Sequence, residues 1–166
     1  MVRHMKALNL LFKTDNTVST LLLRVALGLA FFPHGAQKVL GWFGGYGFTG
    51  TMGFFTGTLQ IPAFFAFLAI AAEFAGAIAL VFGLFTRIAG FGIGVTMAVA
   101  ATLHWQNGFF LNWTGNQNGE GIEYHLLAIA VALFLVIRGG GKWAFDSLLV
   151  AKRTQASEAP ANRVLA

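Results

Sequence analysis

Six ionisable side chains stand inside long apolar stretches of this sequence: Arg24, His34, Lys38, Glu73, His104 and His125. Glu123 lies at the edge of another such stretch. An ionisable group in an apolar segment is costly to bury and marks a functional position by default. The residue types suit proton chemistry. Imidazole titrates near neutral pH and can give or take a proton. Lysine and arginine can polarise a carbonyl or set the field around a carboxylate. His34 follows Pro33, whose ring weakens a helix and frees a carbonyl. The chain contains no cysteine. That excludes thiol–disulfide exchange, iron–sulfur ligation and thiolate nucleophiles, and it leaves the redox compartment open.

Helical spacing groups these residues. Arg24, Gly28, Phe31, Gly35 and Lys38 recur at intervals of 4, 3, 4 and 3 and share one face, with His34 beside it. Gly90, Gly94, Met97, Ala101 and His104 form a second stripe, in which Gly90 and Gly94 suit close helix packing. His125, Ala128 and Ala132 share a third face, and Glu123 points nearly the opposite way. Glu73 stands among Ala69, Gly76, Ala77 and Leu80.

The elements that must carry these faces follow from composition. Apolar residues make up 57% of the 166 and charged residues 10%, against about 45–50% and about 25% in soluble domains. A soluble fold of this length cannot hide so much apolar surface, so the chain reads as an all-α membrane protein, a bundle of four transmembrane helices. The spans are expected at about 18–40, 61–85, 88–105 and 122–137. They form one membrane domain over 18–145, between an N-terminal tail of 1–17 and a partly disordered C-terminal tail of 146–166. Residues 41–60 are a Gly- and aromatic-rich loop, read as interfacial or partly re-entrant. Residues 106–121 are a polar, Asn-rich loop.

The net charge of +5 is spread over the tails and one turn instead of a stripe, which reads as the positive-inside pattern and not as a nucleic-acid surface. Both termini are then cytoplasmic, with only Lys38 on the opposite side. Three histidines and a lysine converge on the outer half, with Glu73 and Arg24 below them, outlining a polar pocket open to the outer side. A structural reading competes for each residue. Arg24 and Glu73 can form an ion pair, Lys38 can snorkel to the interface, His104 can be an ordinary interfacial residue, and His125 can cap its helix.

The segment RVALGLAFFPHGAQKVLG from Arg24 to Gly41 resembles the first-helix signature of the DoxX family, as do WFGGYGFTGTMGFF, Glu73 with its small neighbours, and GLFTRIAG at 83–90. The resemblance covers about residues 18–145 and matches at Arg24, Gly28, His34, Gly35, Lys38, Gly41, Glu73 and Arg87. It implies a four-helix protein of the bacterial plasma membrane, in a family where some members are subunits of quinone-linked redox systems. On that footing His34, Lys38, Glu73 and Arg24 are the expected catalytic residues. His34, His104 and His125 are the expected cofactor contacts, the last two on geometry alone. Quinone is the expected cofactor; haem or a metal on the same histidines ranks behind it, and no metal site is assigned. The chain has no flavin or nucleotide motif, so a redox partner protein would supply electrons. The other expected associations are the lipid bilayer and a homo-oligomer. A membrane anchor without chemistry of its own is the alternative, and a small-solute transporter ranks last.

Overall fold

The computed structural model describes residues 11–150. The tails expected at 1–17 and 146–166 fall mostly outside the described residues. Within them every regular element is helical. Helix α1 spans Val18–Leu40. The short helix α2, Gly47–Gly53, continues into a π-turn over Phe54–Thr58. Helices α3 (Ala63–Phe82), α4 (Thr86–His104) and α5 (Glu123–Arg138) follow. Three helical stretches, Val18–Leu40, Ala63–Phe82 and Thr86–Asn107, are long and apolar enough to cross a membrane. Helix α5 has 16 residues, about 24 Å of helix, and packs along α4.

Local chemistry sets the helix ends. The Thr17 hydroxyl accepts from the Thr20 N–H at the start of α1, which satisfies one of the unpaired donors of the first turn. Gly41 ends α1 at φ 71° and Gly83 ends α3 at φ 69°, left-handed positions that glycine adopts without a Cβ clash. Pro33 lies inside α1 without ending it.

Each helix buries the small-residue face that its periodicity marks. On α1 these include Arg24, Gly28, Phe31 and Gly35; on α5 they are His125, Ala128, Ala132 and Leu135. Gly90 and Gly94 of α4 meet Ala132 of α5, the close approach of backbones on which helix association in lipid relies. The core joins Leu27, Phe31, Leu80, Ile93, Met97 and Leu135. Large apolar side chains on the outside, such as Leu22, Phe64, Phe91 and Ile137, are exposed, as a lipid-facing surface requires.

Both described chain ends meet at one pole. The Asp15 N–H donates to the Arg138 carbonyl, and the Lys142 N–H donates to the Thr17 carbonyl. The Asp15 carboxylate accepts from Arg138 Nε at 2.9 Å and from the hydroxyls of Thr20 and Thr17 at 3.0 and 3.1 Å. Asp146, expected in the tail, is instead buried. Its carboxylate accepts from the N–H groups of Phe85 and Thr86 at 2.7 and 2.9 Å, capping α4 where its first N–H groups lack partners. Residues 145–150 are helical, so ordered structure passes the boundary at 145 drawn from the sequence.

Two tests follow from this frame. A Cβ at Gly35 would stand 2.5 Å from Phe74 Cα and 2.6 Å from the Glu73 carbonyl oxygen. Gly35→Val is therefore expected to cost about 3 kcal/mol, read by thermal melting in detergent. Gly53→Ala, where a Cβ meets nothing within 4 Å, should leave the melt unchanged. At the pole, burial alone would raise the Asp15 pKa, but the bonds from Thr20, Arg138 and Thr17 outweigh it and hold it below 3.8. A depressed folded-state pKa gives stability that is complete above the unfolded value and lost as pH falls through the folded one. Asp15→Asn should therefore lower the melting temperature at neutral pH and flatten the acid limb below pH 3.8.

Candidate functional site

A cleft of about 1480 Å³ runs along α3 and α4, from Phe85 and Ile88 at one end to His104 and Trp113 at the other. Most of its wall is apolar, with Phe65, Leu68, Phe91, Val95, Val99 and Leu103 among the lining residues. Polar groups gather toward the His104 and Trp113 end. They include His34 and Lys38 of α1, His104 of α4, Asn112 and Glu120 of the loop that follows it, and Tyr124 and His125 of α5, with Glu73 midway along α3.

The geometry begins at Gly35. Its missing side chain lets the α1 backbone lie directly on Glu73 and Phe74. Lys38, one turn further along the same face, then reaches Glu73: Nζ donates to Oε2 at 2.6 Å. Glu73 is 4% exposed and stands 10 residues into α3, about 15 Å from its start. The ion pair is what makes such a burial tolerable. Lys38 thus does more than snorkel. Its ammonium carries three protons, so two remain after the bond to Glu73. His34 is exposed in the cleft wall beside this pair.

The second flank is built by the loop between α4 and α5. Asn107 Nδ2 donates to the Glu120 carbonyl, the Ile122 N–H to the Gly108 carbonyl, and the Glu123 N–H to the Phe109 carbonyl. A Cβ at Gly121 would sit 2.4 Å from the Phe110 carbonyl oxygen, so the clamp closes only on glycine. Glu123 Oε2 accepts from the Leu111 N–H at 3.2 Å, serving the loop and not the cleft. Closing this loop sets the end of α4 against the start of α5, and the rings of His104 and His125 lie 5.0 Å apart. His104 Nδ1 lies 2.8 Å from the Ala100 carbonyl. A carbonyl only accepts, so Nδ1 carries the proton and Nε2 is left to face other partners. Among the described residues no three His, Asp or Glu side chains converge as metal ligands.

Tyr124 joins the two flanks, and the sequence reading passed over it. Its ring stacks on Phe31 at 6.0 Å and 25°, and lies 6.4 Å from His34 and 6.2 Å from His125. Its place beside His125, at the start of an apolar stretch, was the available signal.

Arg24 is not part of this site. Its guanidinium lies at the opposite pole, where Nη1 donates to the Leu80 and Val81 carbonyls at 2.7 and 2.8 Å. It closes the C-terminal end of α3, where carbonyls lack helical partners. The ion pair with Glu73 weighed from the sequence does not form, because Lys38 holds Glu73 and Arg24 binds carbonyls beyond the other end of the core. Arg87 does similar work, donating to the Val136 and Ile137 carbonyls at the end of α5 and to the Lys13 carbonyl.

Comparison with known proteins agrees with the motifs. The sequence model of the DoxX family matches residues 19–105. A Bacillus subtilis (strain 168) protein named "Putative oxidoreductase CatD" is 40% identical over 129 residues, covering 78% of this chain and 85% of that protein. No solved structure matches the chain.

The buried pair is open to a double-mutant cycle. Lys38→Met leaves the Glu73 carboxylate buried without its partner and should cost about 3 kcal/mol. Adding Glu73→Gln should restore much of that loss. Additive losses in thermal melts would mean that the two groups do not interact.

Proposed function

Because this chain belongs to the DoxX family of membrane proteins, we propose that it is the membrane subunit of a quinone-linked redox system, with the cleft as its quinone site. The observation that carries the reading is the Lys38–Glu73 pair in the wall of a mostly apolar groove. A membrane quinone needs hydrogen-bond donors at its ring oxygens and an apolar slot for the ring and chain. Lys38 offers its remaining ammonium protons to one ring oxygen. His34 stands beside it as the group that exchanges protons with the ring, a role suited to imidazole near neutral pH. Glu73 balances the lysine charge, so that a neutral ligand meets a neutral pair. The interconversion of quinone and quinol takes two electrons and two protons. The chain has no cysteine or nucleotide motif, so a partner protein supplies or removes the electrons. The relative's printed name, an oxidoreductase, supports this class of chemistry.

In the membrane, all four long helices span in this reading. Helix α5 is shorter than the hydrocarbon core of about 30 Å and is accommodated by local thinning. The pole that gathers Lys13, Arg87, Arg138 and Lys142 faces the cytoplasm by the positive-inside rule, and the polar end of the cleft faces the outer side of the bacterial plasma membrane.

The test is a titration of the purified protein in nanodiscs with short-chain benzoquinone and naphthoquinone analogues. Trp113 in the cleft wall provides a fluorescence signal. Saturable quenching is expected in the wild type, with affinity lowered about tenfold or more in His34→Ala, the loss of one hydrogen bond to a ring oxygen. Equal binding by wild type and His34→Ala would remove His34 from the site. Absence of binding by the wild type would leave the anchor reading in place.

A further inference from the structure

Four buried side-chain atoms among the described residues have no hydrogen-bond partner: Arg24 Nε, Thr86 Oγ1, Tyr124 Oη and His125 Nδ1. The last two belong to residues that line the cleft. The Gly121 carbonyl lies near the His125 ring, so Tyr124 Oη is the clearer orphan. A buried tyrosine hydroxyl normally finds a partner, and leaving it without one is costly. Phenylalanine at 124 would keep the stack on Phe31 and carry no such cost. A locally unfavourable choice of this kind is expected where a residue serves a ligand.

Tyr124 is also held in place. Phe31 stacks on one face, and the rings of His34 and His125 flank it. A donor fixed in advance loses little freedom when a ligand arrives. It comes from α5, whereas Lys38 and Glu73 come from α1 and α3. The cleft wall therefore carries two unspent donors from different helices, the spare ammonium protons of Lys38 and the Tyr124 hydroxyl. Residue 124 also falls beyond the segment matched by the family, which ends at residue 105.

We propose that Tyr124 is the specificity-determining residue of the cleft, donating its hydroxyl proton to the second oxygen of a ring whose first oxygen is held by Lys38. The ligand class is then a ring with oxygen acceptors on two opposite edges, and a ring with a single oxygen is discriminated against. This rests on the quinone reading of the site and adds to it which ring is preferred and why.

The experiment uses the full chain in nanodiscs, wild type and Tyr124→Phe. The probes are 2,3-dimethyl-1,4-naphthoquinone and the one-carbonyl analogue 1-tetralone, and each protein is also melted without ligand. The wild type should prefer the diketone. Tyr124→Phe should weaken diketone binding about tenfold, the worth of one hydrogen bond, and leave the single ketone unchanged. Without ligand, Tyr124→Phe should melt at or above the wild-type temperature, because the hydroxyl it removes is unpaired. Unchanged diketone affinity in the variant overturns the proposal. So does a lower ligand-free melting temperature, which would assign the hydroxyl a structural bond. Failure of the wild type to bind the diketone at all defeats the quinone reading itself, and this proposal with it.

Discussion

The contact of α1 with α3 at Gly35 is the constraint on which the site depends. A side chain there would overlap the backbone of Glu73 and Phe74. Without one, the two helices lie close enough for Lys38 to reach a carboxylate halfway along α3. The pairing is mutual support. The ammonium makes the buried carboxylate tolerable, and the carboxylate holds the ammonium inside the cleft instead of letting it extend to the interface. A larger residue at 35 would separate the helices and leave both charges to be neutralised in other ways.

The two poles of the bundle divide the work between positive groups. At the pole where the described chain ends meet, Arg24 and Arg87 bind the last carbonyls of α3 and α5, and Asp146 binds the first N–H groups of α4. These contacts satisfy backbone groups at the helix ends that have no partner within their own helix. At the other pole the polar groups are only partly spoken for. Lys38 keeps protons to spare, His104 keeps one ring nitrogen, and the Tyr124 hydroxyl has no hydrogen-bond partner among the described residues. Satisfied polar groups stabilise, whereas a buried group left without a partner is costly. The contrast separates scaffold from site more clearly than residue type does, since each pole holds both cationic and acidic side chains.

The helical architecture and the buried faces were legible from the sequence because they depend on local composition and on the 3.6-residue period. Runs of apolar residues mark the helices, and the recurrence of Gly and Ala marks the sides that approach one another. The motif residues His34, Lys38 and Glu73 were legible for a related reason, since ionisable groups are conspicuous in apolar surroundings. Tyr124 escaped notice because a tyrosine at the end of an apolar helix is an ordinary interfacial residue, and its unpaired hydroxyl exists only once Phe31, His34 and His125 surround it. Asp146 escaped for a similar reason, since nothing local ties it to the turn at 83–86.

What the sequence determined by itself is therefore the type of each element, the lipid-compatible surface and the set of groups able to do chemistry. The tertiary structure decided the pairing. Arg24 and Glu73 have opposite charges and lie in neighbouring helices, yet they do not meet, because helix direction places Arg24 against the far end of α3 while Gly35 brings Lys38 to Glu73. Which charges neutralise each other depends on the register between helices. That register is set by the close contacts of small residues from distant parts of the chain, and no window of sequence contains both sides of such a contact.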